Sequence, residues 1–541
     1  MFGVNGRIKR PSVEILRNEV DGAIDSLIQN GSGMTIISLL DKISGKHFKF
    51  YPVAYALAKC ARCADRQVSK QAYLLIHKVC KIPSHLFLFH YYCKHAVNLR
   101  GWPRSHRKAI AAWYTENKDY KEDMIQFARH VTKYKCRYGI SQRKVIKSCH
   151  PKPPNEKFDF IFRYATKGLK KANEKYPPQS SAGNTKVMSD KCEDFLRDYE
   201  TIRSGHVPLD CVIDTIKKWR LTWEHIPPRF LKKEERCEEF KERYKEEYKE
   251  IWRTLLLHTQ MPMTAIVRNL VKMTRLGLLI PNSKEENMVC QKLNDPMILE
   301  QSNIHPFHVL TALAAYRTGQ TKRKGEDIKW AVSEGVVKAL FQSFLHTQAL
   351  PPTDKRLLLA IDSAIEMNDS VGSSCLPIKE AAAALALAVH QNSTSSETVT
   401  FGNVAAKFEF QPHDQSVFDI ESALERIHQR AEDIQRSNFN APFLFARQNI
   451  ETYDGIVLLT SLVDTEEAAT IRRSFQEYKE QRNCNVKAVV ITYCHSEHVG
   501  TEEDSAILDV EGADACAAKQ IMRFISDNKE GFEEIDIDLR Y

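Results

Sequence analysis

The sequence predicts an α plus α/β protein: helices over about the first 345 residues, then a doubly wound α/β region. Three observations predict it. Before that point, apolar residues recur three and four apart, the period of a half-buried helix. After Pro351-Pro352 the period gives way to continuous apolar runs such as Leu357-Leu358-Leu359-Ala360-Ile361, which read as buried parallel strands. Helical stretches separate those runs, the alternation expected of a parallel sheet covered on both faces. Pro351-Pro352 is the boundary, giving regions 1–350 and 351–541.

The helical region can be followed through its punctuation. Ile24, Leu27 and Ile28 share one face, as do residues within Met34–Leu40, Tyr55–Ala61 and Tyr73–Val79. Gly31-Ser32-Gly33, Lys81-Ile82-Pro83, Gly101-Trp102-Pro103 and Tyr138-Gly139 are turns between them. Many short helices joined by short turns suggest a solenoid of helix pairs, although no strict repeat is visible. Pro177–Thr185 reads as a loop, and Lys232–Glu250, with opposite charges three and four apart, as a solvated helix. In the second region, Arg356–Asp362, Thr398–Phe401, Gly455–Thr460 and Lys487–Tyr493 are the strands. Ile378–His390, Ile420–Ile434 and Glu466–Lys479 are the helices between them.

Charge narrows the function. Residues 51–175 hold 27 Lys and Arg against 8 Asp and Glu, a net of +19 in a chain whose net is +9. Such asymmetry suggests a polyanionic partner, and composition leaves RNA, DNA and a membrane surface open. No window is apolar enough to span a membrane, and Met1–Pro11 is not followed by the apolar core of a secretory signal. Fourteen scattered cysteines read as thiols of a reducing compartment.

The richest stretch runs from Lys121 to Pro151 and reads as helix, turn, helix. The first helix should bury Met124, Phe127, Val131 and Tyr134 and end at Gly139 in a left-handed cap. Ser141 is a suitable N-cap for the second helix, and Pro151 stops it. Lys133 and Arg137, four apart, would share a face of the first helix. Arg143, Lys147 and His150 would share a face of the second. Like charges so spaced cost a helix a few tenths of a kcal/mol, a term that a bound phosphate reverses. Tyr134, Tyr138 and His150 could stack on bases or bond to sugars. The residues alone leave this reading level with an ordinary basic surface.

The chain resembles the Ro ribonucleoprotein family, whose members carry a TROVE module followed by a von Willebrand factor A domain. The resemblance rests on Val79-Cys80-Lys81-Ile82-Pro83-Ser84-His85-Leu86-Phe87, Arg107–Tyr114, Val131-Thr132-Lys133-Tyr134-Lys135, Met261–Leu270, Lys272-Met273-Thr274 and Ile304-His305-Pro306-Phe307-His308. It covers residues 12 to 370 well and thins beyond. It implies a ring of HEAT-like helical repeats. Single-stranded ends of misfolded small RNAs would thread its hole, and duplex portions or the stem of a Y-like RNA would lie on the outer basic surface. Lys133, Arg137 and His150 match the family's RNA-contacting positions. Arg104, Arg107 and Lys108 also match its pattern as backbone contacts, and Lys135, Arg143 and Lys147 complete the expected set.

The same resemblance implies a metal-ion-dependent adhesion site, Asp-x-Ser-x-Ser, after the first strand of the second region. Here the sequence is Asp362-Ser363-Ala364-Ile365-Glu366. Ala364 has no ligand oxygen, and Glu366 puts a long acid where a short hydroxyl belongs. The family's loop threonine is missing between Ile434 and Phe445, and its later aspartate is Ser461. The expectation is no cofactor and no metal bound in the family's manner. A rearranged site on Asp362 and Glu366 is the competing reading.

Other motifs read as structure. Cys60-Ala61-Arg62-Cys63 lacks the second pair that zinc needs. His305-Pro306-Phe307-His308 is a helix-start corner. Trp102, Trp113 and Trp252 are core anchors. No P-loop, helicase or Ser/His/Asp pattern appears. The sequence therefore reads as a non-enzymatic binder of small noncoding RNA, cytoplasmic and also nuclear, with protein partners for its C-terminal domain and no membrane or DNA partner. The rival is a protein-interaction scaffold whose RNA binding has decayed.

Overall fold

The computed structural model describes residues 2–3, 7–8, 21–44, 50–97, 101–177, 191–204, 207–231, 241–259, 261–302, 304–323, 326–348, 353–372, 374–408, 436–482, 485–494, 496–500, 505–512 and 517–526. Its contacts divide the chain into two compact units, residues 10–260 and residues 261–540 with 1–9. The anticipated helix Ile420–Ile434 and most of the loop Pro177–Thr185 lie outside the described residues. So do Pro351-Pro352 and the first half of the charged run.

A short pair, β1 (Phe2–Gly3) and β2 (Arg7–Ile8), is antiparallel. Helices follow: α1 (Gly22–Gln29), α2 (Gly33–Ile43), α3 (Phe50–Arg62), α4 (Arg66–Val79) and α5 (Pro83–His95). Next come α6 (Arg104–Thr115), α7 (Lys118–Glu122) and α8 (Met124–Lys133). The hairpin β3 (Cys136–Arg137) and β4 (Ile140–Ser141) leads into α9 (Gln142–Cys149), α10 (Glu156–Lys167) and α11 (Leu169–Lys175). Then come α12 (Lys191–Ser204), α13 (Leu209–Trp219) and α14 (Lys241–His258), the last containing the described part of the charged run.

The turns do what their residues allow. Pro83 and Pro306 stand at first helical positions, where a missing N–H costs nothing. Asp65 caps α4, accepting from Gln67 N at 2.7 Å and Val68 N at 3.1 Å. Successive helices pack on one another: α3 on α4 and α5, α6 on α9, α8 on α12. Trp113, Tyr114, Tyr120, Phe127, Phe158 and Phe162 form an aromatic core there, with ring centroids 4.4 to 6.2 Å apart. Not every periodic residue is inside: Leu27 and Met34 are 37% and 38% exposed.

The second unit opens with α15 (Met263–Arg275), α16 (Lys284–Asn294), α17 (Pro296–Ser302) and α18 (Pro306–Arg317). A hairpin, β5 (Gln320–Arg323) with β6 (Glu326–Lys329), separates these from α19 (Glu334–Thr347). The periodicity had not suggested this hairpin. The α/β part runs β7 (Thr353–Asp362), α20 (Ile378–Gln391), β8 (Ser393–Phe401), β9 (Ala405–Phe408), α21 (Ala441–Gln448) and β10 (Gly455–Thr460). It ends with α22 (Thr465–Arg482), β11 (Lys487–Thr492), β12 (Ile507–Glu511) and α23 (Ala517–Ser526). The order across the sheet is β12-β11-β10-β7-β8-β9, parallel except for β9.

α20 and α23 pack together, as do α21 and α22. Leu358, Val399, Phe443, Phe475 and Val490 belong to one core cluster. Leu357 to Ile361 are fully buried, as the apolar run requires. The chain runs to opposite sides of β7 into β8 and β10, so the C-terminal ends of β7 and β10 form a topological switch point.

The change from helices to sheet falls after Gln348, while the compact units divide after residue 260. Specific contacts tie the last helices to the sheet. Arg317 pairs with Glu380 at 2.7 Å, Asn392 donates to Gln348 O at 3.1 Å, and the Phe307 and Tyr493 rings lie 6.4 Å apart.

Candidate nucleic-acid interface

Asp123 caps α8 by accepting from Ile125 N at 2.8 Å, and Phe127 and Val131 face the core, with Met124 and Tyr134 half-buried. The helix stops at Lys133, earlier than its periodicity suggests. Tyr134 is already non-helical, with φ −103° and ψ 55°. The chain then turns through β3 and β4, pairing Cys136 with Ser141 and Arg137 with Ile140. Tyr138 and Gly139 both have positive φ, 56° and 73°, as the central residues of a type I′ hairpin require.

Gly139 is therefore a hairpin residue and not a helix cap, and Lys133 and Arg137 do not share a helical face. The physical reason is the short link to α9: two-residue turn chemistry wins over continued helix and buries Ile140. Tyr134 still brings the two cations together. Lys133 Nζ lies 5.4 Å and the Arg137 guanidinium 5.8 Å from its ring centroid.

α9 forms as its signals imply. The Ser141 hydroxyl accepts from Lys144 N at 3.2 Å, and Val145, Ile146 and Cys149 are buried. Arg143, Lys144 and Lys147 are consequently exposed. His150 caps the helix in the left-handed conformation, φ 47°, just before Pro151. It is exposed but sits past the end of the helical face. On α6, the burial of His106, Ile110, Trp113 and Tyr114 leaves Arg104, Arg107 and Lys108 exposed beside α9.

These cations differ in what holds them. Lys133 pairs with Glu224 Oε2 at 3.6 Å. Arg137 donates to Cys136 O at 2.8 Å. Lys135 lies 5.0 Å from the Tyr199 ring centroid, and desolvation there lowers its pKa. Arg104, Arg107, Lys108, Arg143, Lys144 and Lys147 have no carboxylate within 4.0 Å among the described residues. The sequence reading had singled out all of these except Lys144, which its position three residues past the hairpin could have revealed. Gln142, at the start of α9, is 3% exposed, and neither amide atom finds a partner among the described residues.

The remaining motifs are structural. Cys60 is buried, which pushes its thiol up to about 12, and Cys63 Sγ donates to Asp65 O at 3.4 Å. His305 caps α18 by accepting from Phe307 N at 3.2 Å. Trp113 donates to Cys80 O at 2.7 Å and Trp252 is 1% exposed, whereas Trp102 is only half-buried, against the expectation of a core anchor.

At the sheet's switch point, Asp362 is 2% exposed. Its Oδ1 accepts from Ala364 N at 2.8 Å and from the Ser437 hydroxyl, and its Oδ2 accepts from the Thr460 hydroxyl at 2.6 Å. Burial, foremost, raises its pKa, with Glu366 adding to the shift. Ser437 was not foreseen: it supplies a hydroxyl from the loop where the family's threonine is absent. The Ser461 carbonyl accepts from Tyr493 N at 3.0 Å and Cys494 N at 2.8 Å. Mg²⁺ needs hard oxygens in octahedral array. Here the central carboxylate is engaged by internal donors, and Ala364 offers only a methyl. No group of three or more His, Cys, Asp or Glu among the described residues could hold a metal.

Comparison with known proteins agrees with this architecture. A family model described as TROVE domain matches residues 16–348, and one described as Ro60 vWA domain matches residues 356–525. A Caenorhabditis elegans protein named RNA-binding protein RO60 is 26% identical over 570 residues, covering 93% of this chain and 83% of that one. A Deinococcus radiodurans protein of the same name is 24% identical over 535 residues, covering 97% and 91%. The crystal structure of the Deinococcus radiodurans RO (RSR) protein superposes with a TM-score of 0.68 at 21% identity, over 97% of this chain and 96% of that one, which shows a shared fold. The TROVE match alone spans more than half of the residues, and the chain belongs to the Ro60 family of TROVE-domain proteins.

Proposed function

We propose that this protein binds small structured noncoding RNA, including misfolded RNAs and a Y-like RNA, as a quality-control or storage ribonucleoprotein and without catalysis. The observation that carries this reading is the set of exposed cations on α6 and α9 that lack acidic partners. Uncompensated, adjacent like charges are unfavourable in the free protein, and phosphates reverse that term. The relatives' printed names, RNA-binding protein RO60, support it. Residues 1–350 act in this reading as the RNA-binding module. Residues 351–541 form an attached domain that works without metal, because Asp362 is spent on internal hydrogen bonds. Ile365 and Leu462, 57% and 39% exposed beside that carboxylate, favour a protein partner there.

Filter binding with small structured RNAs tests the proposal. Affinity should fall steeply with salt, by roughly 0.7–0.9 log units per log unit of salt for each phosphate contact. The Lys133→Ala/Arg137→Ala protein should bind at least several-fold more weakly. Parent-like binding by that variant at moderate salt removes those residues from the interface. Sequencing the RNA that copurifies with the native protein identifies the ligand.

A further inference from the structure

The C-terminal ends of the sheet strands carry an apolar face ringed by acids. Hydrogen bonds fix which loops meet there. The Asp362 carboxylate joins three of them, accepting from Ala364 N at 2.8 Å, from the Ser437 hydroxyl and from the Thr460 hydroxyl at 2.6 Å. Backbone bonds tie in a fourth: Ser363 N donates to Phe401 O at 2.9 Å, and Asn438 N to Gly402 O at 2.8 Å. Ile365, Leu462 and Val404 belong to these loops and are exposed, Val404 by 74%. Asp362, Ser363, Ala364 and Ser461 are buried beneath them. The space under the face is thus filled, and the three apolar side chains stay in water unless a partner covers them. On loops joined by one carboxylate, they differ from the scattered single exposures usual on a protein surface.

The charge around that face selects the partner. Glu366 follows Ile365, and Asp369 N donates to Glu366 O at 3.0 Å, so both acids lie on one turn. Just past Leu462, Glu467 N donates to Asp464 Oδ1 at 2.8 Å and Asp464 N to Glu467 Oε2 at 2.9 Å, with Glu466 exposed between them. Glu497 N donates to Val463 O at 2.9 Å, which brings a further carboxylate alongside. Glu366, Asp369, Glu466 and Glu497 have no lysine or arginine within 4.0 Å among the described residues. The cations nearby are engaged: Arg436 pairs with Asp464 at 2.7 Å, Lys379 donates to Asn368 Oδ1 at 2.6 Å and Arg472 to Val499 O at 3.2 Å. Burial, then the carboxylates of Asp464 and Asp362, raise the Glu467 pKa, as expected where acids outnumber cations.

Such a surface repels an RNA backbone. A segment that interleaves lysine or arginine with leucine-like side chains covers the apolar residues and offsets the acids. We propose that this face is a docking site for a cationic, apolar segment of a protein partner. This deepens the reading above, in which the attached domain meets a protein partner, and rests on it. The apolar contacts supply affinity, and the acids supply choice of partner and speed of encounter. Cations on α6 and α9 then take RNA while the acids at the sheet's end take protein, so the two ligands do not compete.

The test uses the full-length protein and fluorescein-labelled peptides of alternating sequence, Leu/Lys, Leu/Ser and Leu/Glu, read by fluorescence anisotropy. The Leu/Lys peptide should bind roughly tenfold more tightly than Leu/Ser, with the margin shrinking as salt rises, and Leu/Glu should not bind. Ile365→Ser/Leu462→Ser should weaken Leu/Lys binding about tenfold or more. Glu366→Gln/Glu466→Gln should weaken it roughly three- to tenfold and flatten its salt dependence. Both pairs should bind RNA like the parent. Thermal melting checks that each pair folds, and if one does not, the other decides. Leu/Lys binding that is absent in the parent, or that survives both pairs, overturns the proposal. Equal binding of Leu/Ser and Leu/Lys, lost in Ile365→Ser/Leu462→Ser, overturns the cationic preference while the protein-partner reading stands. Leu/Glu binding that appears only with Mg²⁺ overturns both. Sedimentation without peptide checks the remaining occupant: self-association lost in Ile365→Ser/Leu462→Ser would make it a second copy and overturn the proposal.

Discussion

Lys133 Nζ lies 3.6 Å from Glu224 Oε2, and the two side chains are only 18% and 25% exposed. The cation expected to lead RNA recognition is thus partly neutralised in the free protein. Glu224 is placed by the turn 223–225, where His225 accepts from Thr222 N at 3.2 Å and lies 3.3 Å from Arg129 O. Glu224→Gln should release the ammonium, raising RNA affinity about two- to fivefold at low salt and steepening the salt dependence. Filter binding across a salt series checks this. Lys133→Ala should also lose about 1 kcal/mol of stability, since Glu224 is left without its partner, so its urea midpoint must be measured beside its affinity.

Gln142 is buried with both amide atoms unmatched, which costs about 1–3 kcal/mol when no compensating bond forms. Gln142→Met, of similar length and better suited to that site, should raise stability by roughly 1 kcal/mol. Chemical denaturation reads the change directly. A drop in stability would mean that a bound water already satisfies the amide.

Acid should weaken the protein early. Burial holds His85, His90, His130, His225 and His308 down at about 4 and His106 at about 3. The unfolded chain takes up those protons near pH 6.5, before the folded one can. Their contribution is complete above pH 6.5 and is lost as pH falls toward 4, by at most about 1.4 kcal/mol per pH unit for each group. The urea midpoint should be flat from pH 7 to 8 and fall steeply below 6.5. A midpoint that holds or rises toward pH 5 contradicts neutral burial.

Asp362 is predicted to serve stability. Asp362→Ala removes the acceptor of the Ser437 and Thr460 hydroxyls and the Ala364 amide, and should cost about 1–3 kcal/mol. Millimolar Mg²⁺ should leave the melting temperature of the parent unchanged. Micromolar Mg²⁺ or Mn²⁺ binding in a calorimetric titration, lost in Asp362→Ala, would restore the rearranged metal site.

Local signals made several elements legible in advance. Ser141, Pro151 and the spacing of Val145, Ile146 and Cys149 delimit α9 because capping and burial act within a few residues. β10 matches its expected span from Gly455 to Thr460, since a strand buried on both faces must be apolar throughout. The stretch Lys133–Ile140 was misread because helix and hairpin share its aromatic and basic residues. Only the left-handed backbone at Tyr138 and Gly139 separates them. The strands β9 and β12 were missed because edge strands carry mixed patterns.

By itself the sequence determined the two architectures, the basic segment and the loss of the adhesion-site oxygen at Ala364, all properties of neighbouring residues or of composition. Tertiary structure decided the pairings. It set Glu224 against Lys133, Tyr199 beneath Lys135, and Ser437 and Thr460 on Asp362. Such contacts join residues far apart in the chain, so no local period records them. They determine which charges are neutralised in the free protein and which remain open to a phosphate.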